Sequence, residues 1–485
     1  MTLLIIDVGS SSVRTLLFNE DMSLIENATV SRSHDFQTDN NGSAVADAHH
    51  LQGLVEACID DILTHPSAKN IRAVGMATFV GNWVGLDAQN SPITPVMTYA
   101  DTRSRDDVAM LRSQLDGDTD AYHQATGCML HTAYLPAQYH YFQRTQPDLA
   151  KRVHTVTDMG GYLYRQWFGQ DIPISTTVAG WTGLLHTTQL DWHEGYIRQF
   201  GCDALLDCLP SLVNYDTVQE GLTDTYANRW TSLRDVPFFL ALGDGAVANV
   251  GSGAVDPQHM ALTIGTTSAL RIAKQIERVP DGLWRYLVCD GMPLVGGATS
   301  EGGNVYQWVV EELGLEADNL ESALAQRTPD HHGLTVLPLL AGERSPGWHP
   351  DASGTIHGIR RNTSKLDILQ AQLEAVAIRL SLIADLLKEG DITIMAGGGA
   401  LQSSPAWMQM IANAFNAPIQ SLAEPEITAR GVALMLRHRL DGLALDAFPP
   451  NIQMTVSPNP DHVLHFQSAR ARQIDLYRRL YDQDH

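Results

Sequence analysis

Two aspartates stand where apolar runs break into turns of small residues. Asp7 follows LLII and opens DVGSSSVRTLLFN, and Asp244 follows VPFFLALG and opens DGAVANVGSGA. Backbone N–H groups around a tight glycine turn form a concave anion site, and short hydroxyls add donors without bulk. Gly9, Ser10, Ser11 and Ser12 carry that chemistry. A carboxylate beside phosphates suits a hydrated Mg²⁺, which keeps several waters and takes one or two carboxylates. Asp7 is therefore read as holding a metal through water, with an Asx-type turn as the plain alternative. Asp244 lies where a strand ends and a small-residue helix begins, the place where open α/β sheets present residues to a crevice. It reads as a general base or as a helix N-cap, and spacing alone leaves both open.

The elements around these residues repeat. MALTIGTTSALRIA, residues 260–273, follows the plan of the opening stretch: Gly9-Ser10-Ser11-Ser12-Val13 aligns with Gly265-Thr266-Thr267-Ser268-Ala269, apolar strands flanking both. Asp7 has Thr263 as its counterpart, so the acid belongs to one copy only. Two such hairpins, each opening a half of similar length, point to duplication. A third site, DITIMAGGGALQSSPAWMQMIANAF at 391–415, runs a strand into three glycines. Ser403-Ser404-Pro405 then starts a helix that buries Trp407, Met410, Ile411 and Ala414. The glycines let a nucleotide lie flat on the backbone, or let the helix pack close to the sheet.

Apolar spacing predicts a helix over 47–64, a strand over 71–79, helices over 101–115 and 366–388, and a final helix over 464–482. The region 116–235, rich in Trp, Tyr and His but weakly periodic, reads as insertions shaping a cleft. The chain of 485 residues divides into lobes 1–241 and 242–485.

Much is excluded. There is no GxxxxGK[ST], no GxGxxG opening a helix and no GxSxG. The formal net charge of −23 opposes binding to nucleic acid or an anionic membrane. Five cysteines without a CxxC pair fit a reducing cytoplasm better than a disulfide or zinc framework. No apolar run approaches the ~20 residues of a membrane span. His49-His50 and His331-His332 lack spaced acidic partners and read as surface histidines.

In order along nearly the whole chain, these motifs resemble those of the FGGY family of carbohydrate kinases. DVGSSSVRTLLFN is similar to its first phosphate hairpin, YADTRS (99–104) to its tryptophan-x-aspartate-x-arginine segment, and LGDGAVANVGSG to its catalytic-aspartate loop. TIGTTSALR is similar to the second phosphate hairpin, GERSPGWHPDASGTIHGI (342–359) to the second-domain signature, and MAGGGALQSSPAWMQMIANAF to the adenosine loop. The resemblance implies an α/β fold of two actin-like, ribonuclease H-like lobes, as in sugar kinases and heat-shock ATPases, with a cleft between them. It implies ATP and Mg²⁺, with Asp7 on the metal through water and Asp244 as base. Gly9, Ser10, Ser11, Ser12, Gly265, Thr266 and Thr267 would lie at the phosphates, and Gly398, Gly399 and Ala400 at the adenosine. It also suggests a cytoplasmic homodimer without nucleic-acid or membrane partners.

The substrate side departs from the family. Val80-Gly81, followed by Asn82, stands where a Met-His or Arg-Glu pair is common, and Tyr99 replaces the tryptophan before Asp101 and Arg103. Val80, Gly81, Asn82, Tyr99, Asp101, Arg103 and Asp244 are the expected substrate contacts. VGGATSEGGNVYQW (295–308) is similar to a segment of the gluconate branch, although Ser300 and Glu301 stand where asparagines are common. D-Gluconate is thus the expected acceptor and a pentulose the alternative. Its carboxylate needs a cation or convergent N–H groups; Arg103 and Arg271 both lie in motifs expected to border the cleft, and Arg103 is preferred because Arg271 could instead follow its strand away. A sugar or nucleotide sensor on the same fold is the rival of another class, and retention of Asp7 and Asp244 argues against it.

Overall fold

The structure, a computed structural model, describes residues 1–316 and 319–481, with Ala400 described by its backbone alone. β1 (Thr2–Val8) is buried along its whole length, as a continuous apolar run requires of a strand covered on both faces. Leu4, Ile6 and Val8 pack against the α1 helix (Ala48–Ile62), while Leu3 and Ile5 face the opposite layer. β2 (Ser12–Asn19) and β3 (Leu24–Ser33) complete an antiparallel meander, and β4 (Ile71–Thr78) lies parallel to β1 on its other side.

β5 (Val218–Gln219) and β6 (Phe238–Phe239) extend this sheet in the order β5-β6-β4-β1-β2-β3, and β7 (Leu242–Gly243) also pairs with β4. The 236–242 run is thus two short strands. The charged helix forms over Arg105–Gln114. The region 116–235 is more ordered than its weak periodicity implies. It holds helices Thr119–Thr126, Leu135–Thr145 and Met159–Phe168, and Tyr122, Tyr139, Phe142 and Phe200 join Trp83 and Leu111 in a core of their own.

Helix α2 (Asp244–Gly251) leads from β7 into the second half. β8 (His259–Ile264), β9 (Ser268–Ala273), β10 (Trp284–Cys289) and β11 (Met292–Thr299) precede α3 (Gly303–Glu312) and the long α4 (Lys365–Leu387). β12 (Thr393–Gly397), the short α5 (Gly399–Gln402), α6 (Pro405–Phe415), β13 (Ile419–Leu422), α7 (Ile427–Asp441), β14 (Ile452–Val456) and α8 (Pro460–Tyr481) follow. The second sheet runs β10-β11-β9-β8-β12-β13-β14. Like the first, it joins an antiparallel hairpin to parallel strands, β8, β12 and β13. The repeated plan is therefore architectural. The final helix starts four residues before its expected position, at Pro460, and residue 482 lies outside the described residues.

His332 is not a surface histidine. Its Nδ1 accepts from the Leu334 N–H, which leaves Nε2–H to donate to Glu374 Oε2 at 3.1 Å, with both side chains buried. Among the described residues no group of three or more His, Cys, Asp or Glu could hold a metal, and no helix is long and apolar enough to cross a membrane.

The two halves meet where α2 crosses α7. A methyl group on Gly251 would fall 1.9 Å from the Ile427 carbonyl oxygen, and one on Gly431 would fall 1.8 Å from that of Val247. Arg430 Nη1 donates to Gly251 O at 2.7 Å and fastens the crossing. Gly431→Ala must drive the helices apart and is expected to cost at least ~2 kcal/mol in urea unfolding, the scale of an overpacked core. Gly53→Ala, on α1 where a methyl meets nothing within 4 Å, is expected to stabilise by up to ~1 kcal/mol through helix propensity. Equal effects at the two positions would remove the crossing as a tight constraint.

Candidate active site

Register brings the two aspartates together. Asp7 of β1 lies opposite Ala77 of β4, and Leu242 of β7 lies opposite the same Ala77 on the other side. Asp7 and Asp244 therefore sit near the C-terminal ends of two parallel strands that flank β4. Burial pushes the Asp7 carboxyl up to about 7; Arg14 pulls it down, and Asp244 and Glu426 push it further up. Arg14 Nη1 stands 4.0 Å from Asp7 but 2.7 Å from Glu426, so its charge is largely spent on Glu426.

Asp244 is not the N-cap. Gly243 holds that position, and Asp244 is the first residue of α2, its Oδ1 accepting from the Gly245 N–H at 2.7 Å. Burial raises its pKa, against the Gly245 bond, the Arg271 charge and the Val80 N–H. The flanking glycines have a steric reason. A methyl on Gly243 would fall 2.8 Å from Val80 Cγ1, and one on Gly245 would fall 2.9 Å from Trp181 Cη2. Trp181 stacks on Tyr286 at 3.6 Å between centroids, and the Tyr286 hydroxyl bonds that of Tyr134 at 2.6 Å.

The first hydroxyl turn closes through Gly9 N–H to Ser12 O at 2.9 Å. His34 holds it from the side, its N–H donating to Ser11 O and its Nε2 lying 2.9 Å from Gly9 O. Burial lowers the His34 pKa, so the ring stays neutral. Arg14 Nε donates to the Ser12 hydroxyl, whereas the Ser10 and Ser11 hydroxyls have no protein partner among the described residues.

The second turn is one residue tighter. Val8 pairs with Val13 in the first hairpin, but Ile264 pairs with Ser268 in the second, so Ser268 is strand rather than turn. Its hydroxyl donates to Glu301 O. The Gly265 and Thr266 carbonyls accept from Gly303 and Asn304, which seats α3 on the turn. Gly265, Thr266 and Thr267 stay exposed.

The glycines at 398 and 399 divide the two readings between them. Gly398, at φ +103°, would place a methyl 2.4 Å from Ile264 O, so it serves close packing. Around Gly399 a methyl would meet nothing within 4 Å. The side chain of Ala400 lies outside what is described.

The expected substrate residues separate. Val80 and Gly81 (φ +68°) sit beside Asp244, and Tyr99, 39% exposed, packs against Gly81. Asn82 is spent on the fold, donating to Phe79 O and accepting from the Met159 N–H. Asp101 is buried and accepts from Ala44 N–H, Arg103 N–H and Arg103 Nε. Arg103 thus already has its carboxylate. Arg271, by contrast, does not follow its strand away: its Nε lies 3.6 Å from the position of a methyl on Gly245, and it exerts its charge on Asp244. The preference between these two arginines is reversed by the geometry. His34, Trp181 and Tyr286 join the surroundings without a sequence signal, apart from the glycine pair around Asp244 that makes room for Trp181, and Arg344 comes from the 342–359 signature, to which the sequence assigned no site residue.

Known proteins share the plan of the whole chain. A gluconokinase of Bacillus subtilis (strain 168) is 25% identical over 448 residues, covering 89% of this chain and 86% of its own. A xylulose kinase of Escherichia coli (strain K12) is 24% identical over 433 residues, covering 84% of each. The crystal structure of a gluconate kinase from Lactobacillus acidophilus superposes with a TM-score of 0.90 at 22% identity, over 99% of this chain and 98% of its own. Residues 2–251 match the N-terminal domain of the FGGY family of carbohydrate kinases and residues 260–438 match its C-terminal domain, so the chain belongs to that family.

Proposed function

We propose that this carbohydrate kinase transfers the γ-phosphate of ATP to a hydroxyl of D-gluconate, in a cleft between lobes 1–241 and 242–485. The observation that carries the reading is the meeting of two buried carboxylates at strand ends with two turns of unspent donors. Asp244 takes the proton of the attacking hydroxyl, and its raised pKa brings it closer to working pH as a base. Ser10 and Ser11 offer N–H and O–H donors to the phosphates from one side, and Thr266 and Thr267 from the other, while the Gly9 and Gly265 N–H groups close the two turns and let the phosphates approach. Ser12 acts through Arg14 rather than directly.

Asp7 suits a Mg²⁺ ion held through water: it is a buried carboxylate whose nearest cation is 4.0 Å away. When bound, that ion shields phosphate charge. Gly399 supplies open backbone for the adenosine, with Gly398 shaping the turn and Ala400 following it. Val80 and Gly81 face the acceptor with backbone, and Tyr99 adds a hydroxyl. Closure of the lobes would exclude water and limit wasteful hydrolysis.

The gluconokinase and xylulose kinase relatives are almost equally similar, so the acceptor rests on charge. Arg271 beside Asp244 supports a sugar acid; a pentulose such as xylulose or ribulose is the second reading. ADP release measured across sugar acids, ketoses and polyols tests this, with efficient turnover of a ketose and none of gluconate reversing the choice.

Asp244→Asn keeps the shape of the side chain but cannot accept a proton. It is expected to melt like the wild type, bind Mg·ATP, and lose at least ~10²-fold in kcat; near-normal turnover in a folded Asp244→Asn protein would sink the base assignment. Asp7→Ala is expected to abolish Mg²⁺-dependent turnover while metal-free nucleotide binding changes little. Thr263→Ala, at the equivalent strand position, is expected to retain activity, and equal losses at both positions would mean the asymmetry of the repeat carries no chemistry.

A further inference from the structure

Two guanidinium groups, one beside Asp244 and the other facing the first, have no anion of their own. Arg271, on β9, makes one long bond, Nη1 to Thr263 Oγ1 at 3.4 Å, and its Nε is buried without a partner. Arg344 donates no side-chain hydrogen bond and joins no ion pair among the described residues. Both are only half-buried, so a ligand can reach them. In a chain of net charge −23, two unpaired arginines close together are a conspicuous deficit of anion.

Arg344 is held in place by its loop. The Ser345 N–H donates to Ala298 O at 3.0 Å, and Trp348 Nε1 donates to Gly282 O at 2.7 Å. Trp348 packs edge-on against His131, their centroids 5.1 Å apart. Its neighbour Glu343 turns the other way, into a buried pair with Arg379, and accepts from the Tyr477 hydroxyl. Glu343 therefore does not neutralise Arg344. Glu301 feels the Arg344 charge, but its Oε1 is buried without a hydrogen bond.

The fields of the two arginines overlap. Arg344 acts on His131, Tyr134, Tyr286 and Arg271, and Arg271 acts on Tyr286 and Asp244. Like charges facing one aromatic wall repel each other unless an anion lies between them. A guanidinium presents a planar fork of donors that matches a carboxylate.

We propose that Arg271 and Arg344 form a carboxylate subsite for an aldonic acid, placing its acid end against Tyr286 and Trp181 and a hydroxyl at Asp244. The proposal rests on Asp244 being the base, and it deepens the gluconate reading by naming what holds the acid. The γ-phosphate is the other anion that could fill such a pair. The carboxylate is favoured because the phosphate-type turns at 9–12 and 265–267 have free donors of their own, whereas His131, Tyr134 and Tyr286 around Arg344 are aromatic.

Titration calorimetry without nucleotide separates the possibilities. D-Gluconate, D-galactonate and D-xylonate are compared with D-glucitol, which has CH₂OH in place of the carboxylate, on wild type, Arg271→Gln and Arg344→Gln, each checked by thermal melting. At least one aldonate is expected to bind the wild type more tightly than glucitol does. Each variant is expected to lose ten-fold or more of that affinity, as charged hydrogen bonds imply, with glucitol binding changed far less. Aldonate affinity unchanged in both variants, or no aldonate binding to the wild type, overturns the subsite. Loss of kcat on every acceptor with aldonate affinity intact assigns the pair to the phosphate and also overturns it. An aldonate that binds through both arginines but is not phosphorylated leaves the subsite standing and removes the gluconate kinase reading alone.

Discussion

The close crossing of α2 on α7 is the contact on which the candidate site depends. Helix α2 begins with Asp244, and Glu426, the residue before α7, pairs with Arg14, whose charge reaches Asp7. One helix pair therefore carries Asp244 and bears on the charge of Asp7. The crossing is possible because Gly251 and Gly431 let backbone approach backbone, and Gly75 of β4 makes room for Val432 beneath the same helix. Side chains at these glycines would separate the layers that the two acids must bridge.

Loss of water is the strongest influence on both acids, so the surrounding charges matter by where they are not. Arg14 sits close enough to temper Asp7 but gives its short contact to Glu426. Arg271 feels Asp244 without forming an ion pair with it. A direct salt bridge would hold either carboxylate firmly ionised and occupied, poorly suited to exchanging a proton or meeting a hydrated ion. Instead both stay electrostatically unsettled, which buried groups sustain only where the fold is rigid around them. The turn at 9–12 shows the same economy: neutral His34 fixes its carbonyls and leaves the Ser10 and Ser11 hydroxyls unspent.

What the sequence reveals is what is encoded locally. The hairpins, the 71–78 strand, the helix opened by Ser404-Pro405 and the strand-end position of Asp244 all follow from periodicity and turn chemistry within a few residues. What it does not reveal are partners far apart in the chain. Asn82 is claimed by Met159, Asp101 by Ala44, and His332 by Glu374, and no local pattern foretells such pairings. The turn at 265–267 aligned residue for residue with its copy, yet the packing of α3 onto its carbonyls draws it one residue tighter. The middle region looked formless because its aromatic core is assembled from many short helices, each too brief to show a period.

The departures at Val80 and Gly81 and the unpaired arginines are two sides of one geometry. Next to Asp244, the first half offers backbone and a glycine at φ +68°, packed against Tyr99, where larger polar side chains could have stood. Such a wall can shape an acceptor but supplies few donors to orient it. In the proposed subsite the second half would compensate with Arg271 of β9 and Arg344 of the 342–349 loop. Orientation would thereby pass from many neutral hydrogen bonds to a few charged ones, which are stronger individually and would demand an anionic end on the ligand. Because those cations belong to the half that carries the second phosphate-type turn, an acceptor held by them would move with that half as the lobes close. Alignment of the acceptor hydroxyl with the phosphate would then be fixed within one rigid body, leaving Asp244, at the junction of the halves, to meet it.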